Sequence, residues 1–105
     1  MERKAKQLEE KLDELITLLK SDGETHWSKW MSGAKNRIER RDAGGLDRIL
    51  EAYGGMGSFN DLILGHRVVK GQFQFKAGAN EMNLRLSQLR TDIYTLTKEL
   101  RRASV

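Results

Sequence analysis

The strongest constraint on this chain lies near its C-terminus, where Met82, Leu86, Leu89, Ile93, Leu96 and Leu100 recur with spacings of 4-3-4-3-4. That is the apolar seam of a helix that packs lengthwise on another helix. The pattern predicts a helix from about Asn80, read as its N-cap, to about Ala103, a rod of ~30 Å at 1.5 Å per residue. A partner of nearly equal length stands at the other end of the sequence. From Glu2 to Lys20, Ala5, Leu8, Leu12, Leu15 and Leu19 fall on one helix face, which Ile16 and Leu18 widen. The two stripes are expected to cover each other; the other use of the 82–100 seam is self-association.

Between the two rods the glycines punctuate the chain without opening a linker, so residues 1–105 read as one helical domain. Ser21-Asp22-Gly23 ends the first helix, with Gly23 at C′, where positive φ is tolerated. Thr25 is read as the N-cap of a second helix reaching about Arg41, with Trp27, Trp30, Met31, Ala34 and Ile38 along one side. After Asp42-Ala43-Gly44-Gly45, the residues Leu46, Ile49, Leu50 and Tyr53 mark a short third helix. Ser58 with Asp61 three residues on resembles a capping box at the start of a fourth helix or turn. Residues 65–80 lose helical periodicity. Gln72-Phe73-Gln74-Phe75-Lys76 alternates as a half-buried strand does, and 66–76 is either a short β-hairpin turning at Gly71 or an ordered loop laid over the helices, with His66 read as a loop residue. The expected fold is therefore an all-α bundle of four to five helices, with long terminal helices packed lengthwise and a hairpin or loop at 66–76.

Composition narrows the function. With no Cys, a disulfide scaffold and a Cys-ligated zinc site are excluded. No apolar run approaches the ~18 residues of a bilayer span, and the charged N-terminus lacks the apolar core of a secretory signal, so a cytoplasmic protein off the membrane is expected. The formal charge of +4 invites a nucleic-acid reading, through Arg85, Arg90, Arg101 and Arg102 with Arg37, Arg40 and Arg41. The basic and acidic residues are nonetheless interleaved, and residues 1–53 are neutral in sum. A solvated surface explains such a pattern better than a phosphate-binding stripe does.

Catalytic chemistry has little to work with. The two histidines, His26 and His66, stand forty residues apart, and neither has a second metal ligand at the usual spacing. Glu9, Glu10, Asp13 and Glu14 are interspersed with lysines and read as a solvated face. Gly54-Gly55-Met56-Gly57 leading to Ser58 has the look of an anion cradle, but the P-loop spacing and its lysine are missing. The reading that outweighs it is a tight reversal whose Ser58, Asn60 and Asp61 satisfy backbone donors while Met56 and Phe59 plug the core. Trp27 and Trp30 likewise have two readings, a recognition platform or core filling. The chain is accordingly expected to be non-enzymatic, with no catalytic, cofactor or metal residues.

The residues His26-Trp27-Ser28-Lys29-Trp30, the block Gly54 to Leu62, and the elements Leu86-Ser87-Gln88-Leu89 and Ile93-Tyr94-Thr95-Leu96 together resemble a family of small bacterial proteins of unknown function. Those proteins carry a His-Trp-x-x-Trp helix, a Gly-Gly-Met-Gly-Ser-Phe-Asn-Asp-Leu block and a leucine-bearing C-terminal helix; the likeness covers about residues 10–100. Small bacterial proteins of this sort are often encoded beside toxins and act as immunity proteins. The resemblance thus implies an inhibitor of a toxin or effector, and the basic charge points to an acidic target or to one that is not a nuclease. The residues put forward to contact a protein partner are Trp27, Trp30, Met56, Ser58, Phe59, Asn60, Asp61, His66, Phe73 and Phe75.

Overall fold

The computed structural model describes residues 2–54 and 57–103, so Met56 lies outside the described residues. Among these residues, four helices and one two-stranded ribbon succeed one another: α1 Glu2–Ser21, α2 Thr25–Glu39, α3 Gly44–Ala52, a 3-10 turn Phe59–Asp61, β1 His66–Val69, β2 Gln72–Phe75 and α4 Ala79–Ala103. No helix among them is long and apolar enough to cross a membrane.

The terminal helices pack along each other as their stripes require. Leu8, Leu12, Leu15 and Leu19 of α1 and Leu86, Leu89 and Ile93 of α4 have no exposed surface, and Leu100 is nearly as covered. The 82–100 seam is thus occupied by this chain's own core. Ion pairs set the direction. Lys4 meets Glu99 at 2.5 Å, Lys11 meets Asp92 at 3.4 Å, and Glu14 bonds Arg85, so rising numbers in α1 meet falling numbers in α4. Part of the acidic cluster of α1 is therefore engaged across helix interfaces, Asp13 reaching Lys35 of α2 at 2.7 Å.

α1 ends as expected. Gly23 at φ 74° donates to the Lys20 carbonyl at 3.0 Å and Glu24 to that of Leu19 at 2.9 Å, the paired bonds of a Schellman motif. Because that motif runs straight into α2, Glu24 takes the cap position and Thr25 is the first helical residue, not the N-cap. α2 stops at Glu39, two residues short of expectation, because Arg41 adopts φ 62° and closes a second such motif, with its N–H on the Ile38 carbonyl and that of Asp42 on Arg37. Likewise α4 begins at Ala79, so Asn80 sits within its first turn, and Gly78 supplies the carbonyl that receives the Met82 N–H at 3.0 Å.

The segment at 66–76 is a hairpin, and His66 opens its first strand. The register pairs His66 with Phe75, Arg67 with Gln74, Val68 with Phe73 and Val69 with Gln72. Lys70 and Gly71, both at positive φ, make the two-residue turn that suits a twisted ribbon. The expected half-burial of 72–76 is corrected: all four β2 residues are exposed. Alternation gives the ribbon an apolar face, but the helices have already buried one another, and no described part of the chain comes to cover it.

Candidate functional site

Paired residues of an antiparallel ribbon point to the same side, so His66, Val68, Phe73 and Phe75 share one face and Arg67, Val69, Gln72 and Gln74 the other. On the first face Val68 is 69% exposed, Phe73 58% and Phe75 59%. His66 stacks on Phe73 with ring centroids 5.0 Å apart, and Phe75 meets Phe73 edge-on at 5.1 Å. The main-chain bond from Lys76 N–H to the Gly65 carbonyl, 2.6 Å, sets which residues bond across the ribbon: 65, 67 and 69 with 76, 74 and 72. The main-chain groups of His66, Val68, Phe73 and Phe75 therefore point outward, leaving two open strand edges beside the aromatic face.

A two-stranded ribbon is marginal alone. Here its base is held by side chains from the turn after α1 and from α4. The Asp22 carboxylate, 8% exposed, accepts the Gly65 N–H at 3.0 Å and the Lys76 ammonium at 2.9 Å. Burial pushes its pKa up, but the Gly65 N–H, the Lys76 ammonium and the charge of His66 together outweigh burial, and the carboxyl sits below the usual range. One step earlier, Asn83 accepts the Leu64 N–H at 2.8 Å and donates to the Leu64 carbonyl at 2.9 Å, as a neighbouring strand would. Leu64 itself is buried. At Gly65, φ is +75° and an added Cβ would lie 2.7 Å from that of Ala79, so backbone and helix meet there without room for a side chain.

The Ser58 turn forms with its own variation on the expected box. Ser58 Oγ accepts the Asn60 N–H at 3.3 Å, and Asp61 reaches back to the Gly57 N–H at 2.6 Å. The box opens a single 3-10 turn and not a helix. The Arg90 guanidinium explains the stop: its Nη1 donates to the carbonyls of Phe59, Asn60 and Leu62 at 2.9, 3.2 and 3.1 Å. Tyr53 donates its hydroxyl to the Arg90 carbonyl at 2.9 Å, and burial pushes the phenol's pKa up.

The proposed contact residues separate into three groups. Trp27, Ser58, Asp61, His66 and Phe73 line one groove of about 350 Å³ between the start of α2 and the ribbon, with Ile63, 51% exposed, on its rim. Phe75 continues the apolar face beyond it. Asn60 faces elsewhere and donates to the Tyr53 carbonyl at 3.0 Å. Phe59 is removed from the contact set: it has no exposed surface and plugs the core against Trp27 and Tyr53, with centroids 5.4 and 5.6 Å away. Trp30 is largely structural, since its indole N–H bonds the Arg48 carbonyl at 2.9 Å and the Arg48 guanidinium lies 3.4 Å over its ring.

The arginines set aside for nucleic acid are mostly engaged within the chain. Arg41 grips Glu2 with both nitrogens, Arg85 bonds Glu14, Arg101 bonds Asp47 at 2.8 Å, and Arg90 holds the turn. Among the described residues no three histidine, aspartate or glutamate side chains gather to hold a metal ion.

Asp22, Asn83 and Arg90 are the residues that sequence reasoning missed as site builders. Two carried a signal. An aspartate at a helix C-terminus opposes the helix dipole, and a local misfit of that kind points to a tertiary role. Arg90 has no acidic residue three or four positions away on its own helix.

Residues 20–69, from the end of α1 through β1, match the family model of a domain of unknown function (DUF6966). The match takes in α2, the Ser58 turn and the first strand of the ribbon. No curated protein and no solved structure is significantly similar to the chain.

Proposed function

We propose that this chain is a non-enzymatic protein-binding module that inhibits or sequesters a protein partner in the manner of an immunity protein. The observation that carries the binding role is the outward face of the ribbon. Val68, Phe73 and Phe75 are exposed together on an element whose base is pinned by Asp22 and Asn83. Exposed apolar side chains in a contiguous patch mark interaction surfaces, and an arm already held in place loses little freedom on docking.

The occupant we infer is an extended, acidic and apolar segment of the partner protein, added at a ribbon edge. Two features favour it. Open main-chain groups at 66, 68, 73 and 75 can pair with a further strand, while alternate side chains of that strand reach the aromatic face. From residue 62 to residue 80 the chain has Arg67, Lys70 and Lys76 and no acidic residue, and Lys76 is matched by Asp22. Arg67 and Lys70 are left to meet acidic groups. A membrane fits less well, because the ribbon's tip is Lys70-Gly71 with the aromatics set back from it. The inhibitory role rests on the resemblance to a family of small bacterial proteins of unknown function, a kind often encoded beside toxins, and the basic ribbon agrees with an acidic target.

Affinity purification from the native host tests this with two baits, the wild-type chain and Phe73→Ser/Phe75→Ser. The expected result is one stoichiometric protein on the wild-type bait, lost from the double variant while circular dichroism shows both baits folded. Equal recovery on both baits, or none on either, contradicts the proposal. Recovery of nucleic acid that falls steeply with salt supports the alternative, an arginine-based nucleic-acid-binding protein.

A further inference from the structure

On the other side of the Ser58 turn from the apolar groove lies a polar one of about 290 Å³, lined by Tyr53, Asn60, Ser87, Arg90, Thr91 and Tyr94. Its one cation is incompletely used. Arg90 spends Nη1 on three carbonyls, which orient the guanidinium without neutralising it. No carboxylate among the described residues forms an ion pair with Arg90. Asp61, whose charge reaches it, is turned onto the Gly57 N–H. Nε and Nη2 donate to nothing among the described residues. In a planar guanidinium those two N–H bonds run parallel on one edge, the fork that matches both oxygens of a carboxylate.

We propose that this groove is a carboxylate-binding site, in which the Nε and Nη2 edge of Arg90 grips the two oxygens and the hydroxyls of Ser87, Thr91 and Tyr94 border them. The three turn carbonyls fix the plane of the fork before the ligand arrives, so binding has little side-chain freedom to freeze. A monoanion suits the site better than phosphate, because a single cation with Asp61 nearby cannot balance two negative charges. The carboxylate belongs either to an acidic side chain of a protein or to a small free acid. This site is independent of the ribbon proposal, and either can fail alone.

Titration of the uniformly 15N-labelled wild-type chain with sodium acetate, at constant ionic strength kept with sodium chloride, tests the site without disturbing the turn. The Arg90 Nε–H resonance is expected to shift saturably, while those of exposed Arg37, Arg40 and Arg102 drift only weakly. Arg90→Lys, which keeps the charge and loses the fork, is expected to weaken binding about tenfold, roughly one charge-assisted hydrogen bond. An Arg90 shift no larger than that of the exposed arginines, or one reproduced by chloride, overturns the proposal. Saturation by inorganic phosphate and not by acetate overturns the choice of carboxylate. A capped peptide carrying one glutamate distinguishes the sources: tighter binding than acetate assigns the site to a protein side chain, and equal or weaker binding to a small acid.

Discussion

In the helical body the large apolar side chains face inward apart from Leu84 and Tyr94 of α4, with Leu8, Leu12, Leu15 and Leu19 meeting Leu86, Leu89 and Ile93 with no exposed surface. In the ribbon they face outward, at Val68, Phe73 and Phe75. The body is held by burial, at about 25 cal/mol per Å² of apolar surface, and ion pairs such as Lys4–Glu99 add only register. The ribbon makes sparse contact with the helices and is held by a few directed bonds at its base. Apolar surface in one region specifies the fold, and in the other it remains available to something else.

The most severe way to break the body is Leu12→Ala, which removes a fully buried side chain from the α1–α4 interface and is expected to cost about 2–5 kcal/mol in urea unfolding monitored by tryptophan fluorescence. Gly65→Ala attacks the join between the regions. Its positive φ and the 2.7 Å approach to Ala79 predict a loss of about 2 kcal/mol or more, with amide exchange rising in 66–75 before the helices open.

Asp22→Ala leaves the Gly65 N–H and the Lys76 ammonium without their acceptor and is expected to cost about 1–3 kcal/mol. The same carboxylate makes a pH test. Its folded pKa is lowered, so its contribution is present above the unfolded value of about 3.9 and disappears as pH falls through the folded one. Acid unfolding of Asp22→Ala should accordingly depend less on pH below about 4 than that of the wild type. The smallest effect belongs to Phe73→Ser/Phe75→Ser, whose unfolding free energy should stay within about 0.5 kcal/mol of wild type, because the rings are surface residues that leave no cavity behind. A loss of several kcal/mol there would erase the contrast between the regions.

How far the residues announced this arrangement depends on the range of the forces involved. The terminal rods, the Gly23 helix end and the Ser58–Asp61 turn depend on neighbours a few positions apart, and each was legible. The ribbon's alternation was legible too, but not its exposure: Gln72-Phe73-Gln74-Phe75 says that two faces differ and is silent on whether either is covered. Phe59 had two readings in the sequence, a contact residue and a core plug, and the packing of Trp27 and Tyr53 around it decides for the plug. The anchors were hidden for a different reason. Asp22 reaches a main-chain group 43 residues away, Arg90 reaches Phe59 across 31, and the partners are peptide groups, which look alike in any sequence.

The proposed docking role requires the ribbon to keep its shape in the free chain through its base, with its apolar face uncovered. Residue-resolved amide hydrogen exchange on the isolated wild-type chain measures this most directly. Slowed exchange is expected at Arg67, Val69, Gln72 and Gln74, whose N–H groups point across the ribbon, with fast exchange at Val68 and Phe73, whose N–H groups point outward. Uniformly fast exchange across 66–75, at the rates of an unstructured peptide, would mean that the ribbon takes shape only on binding, and the claim of a preformed docking arm would be wrong.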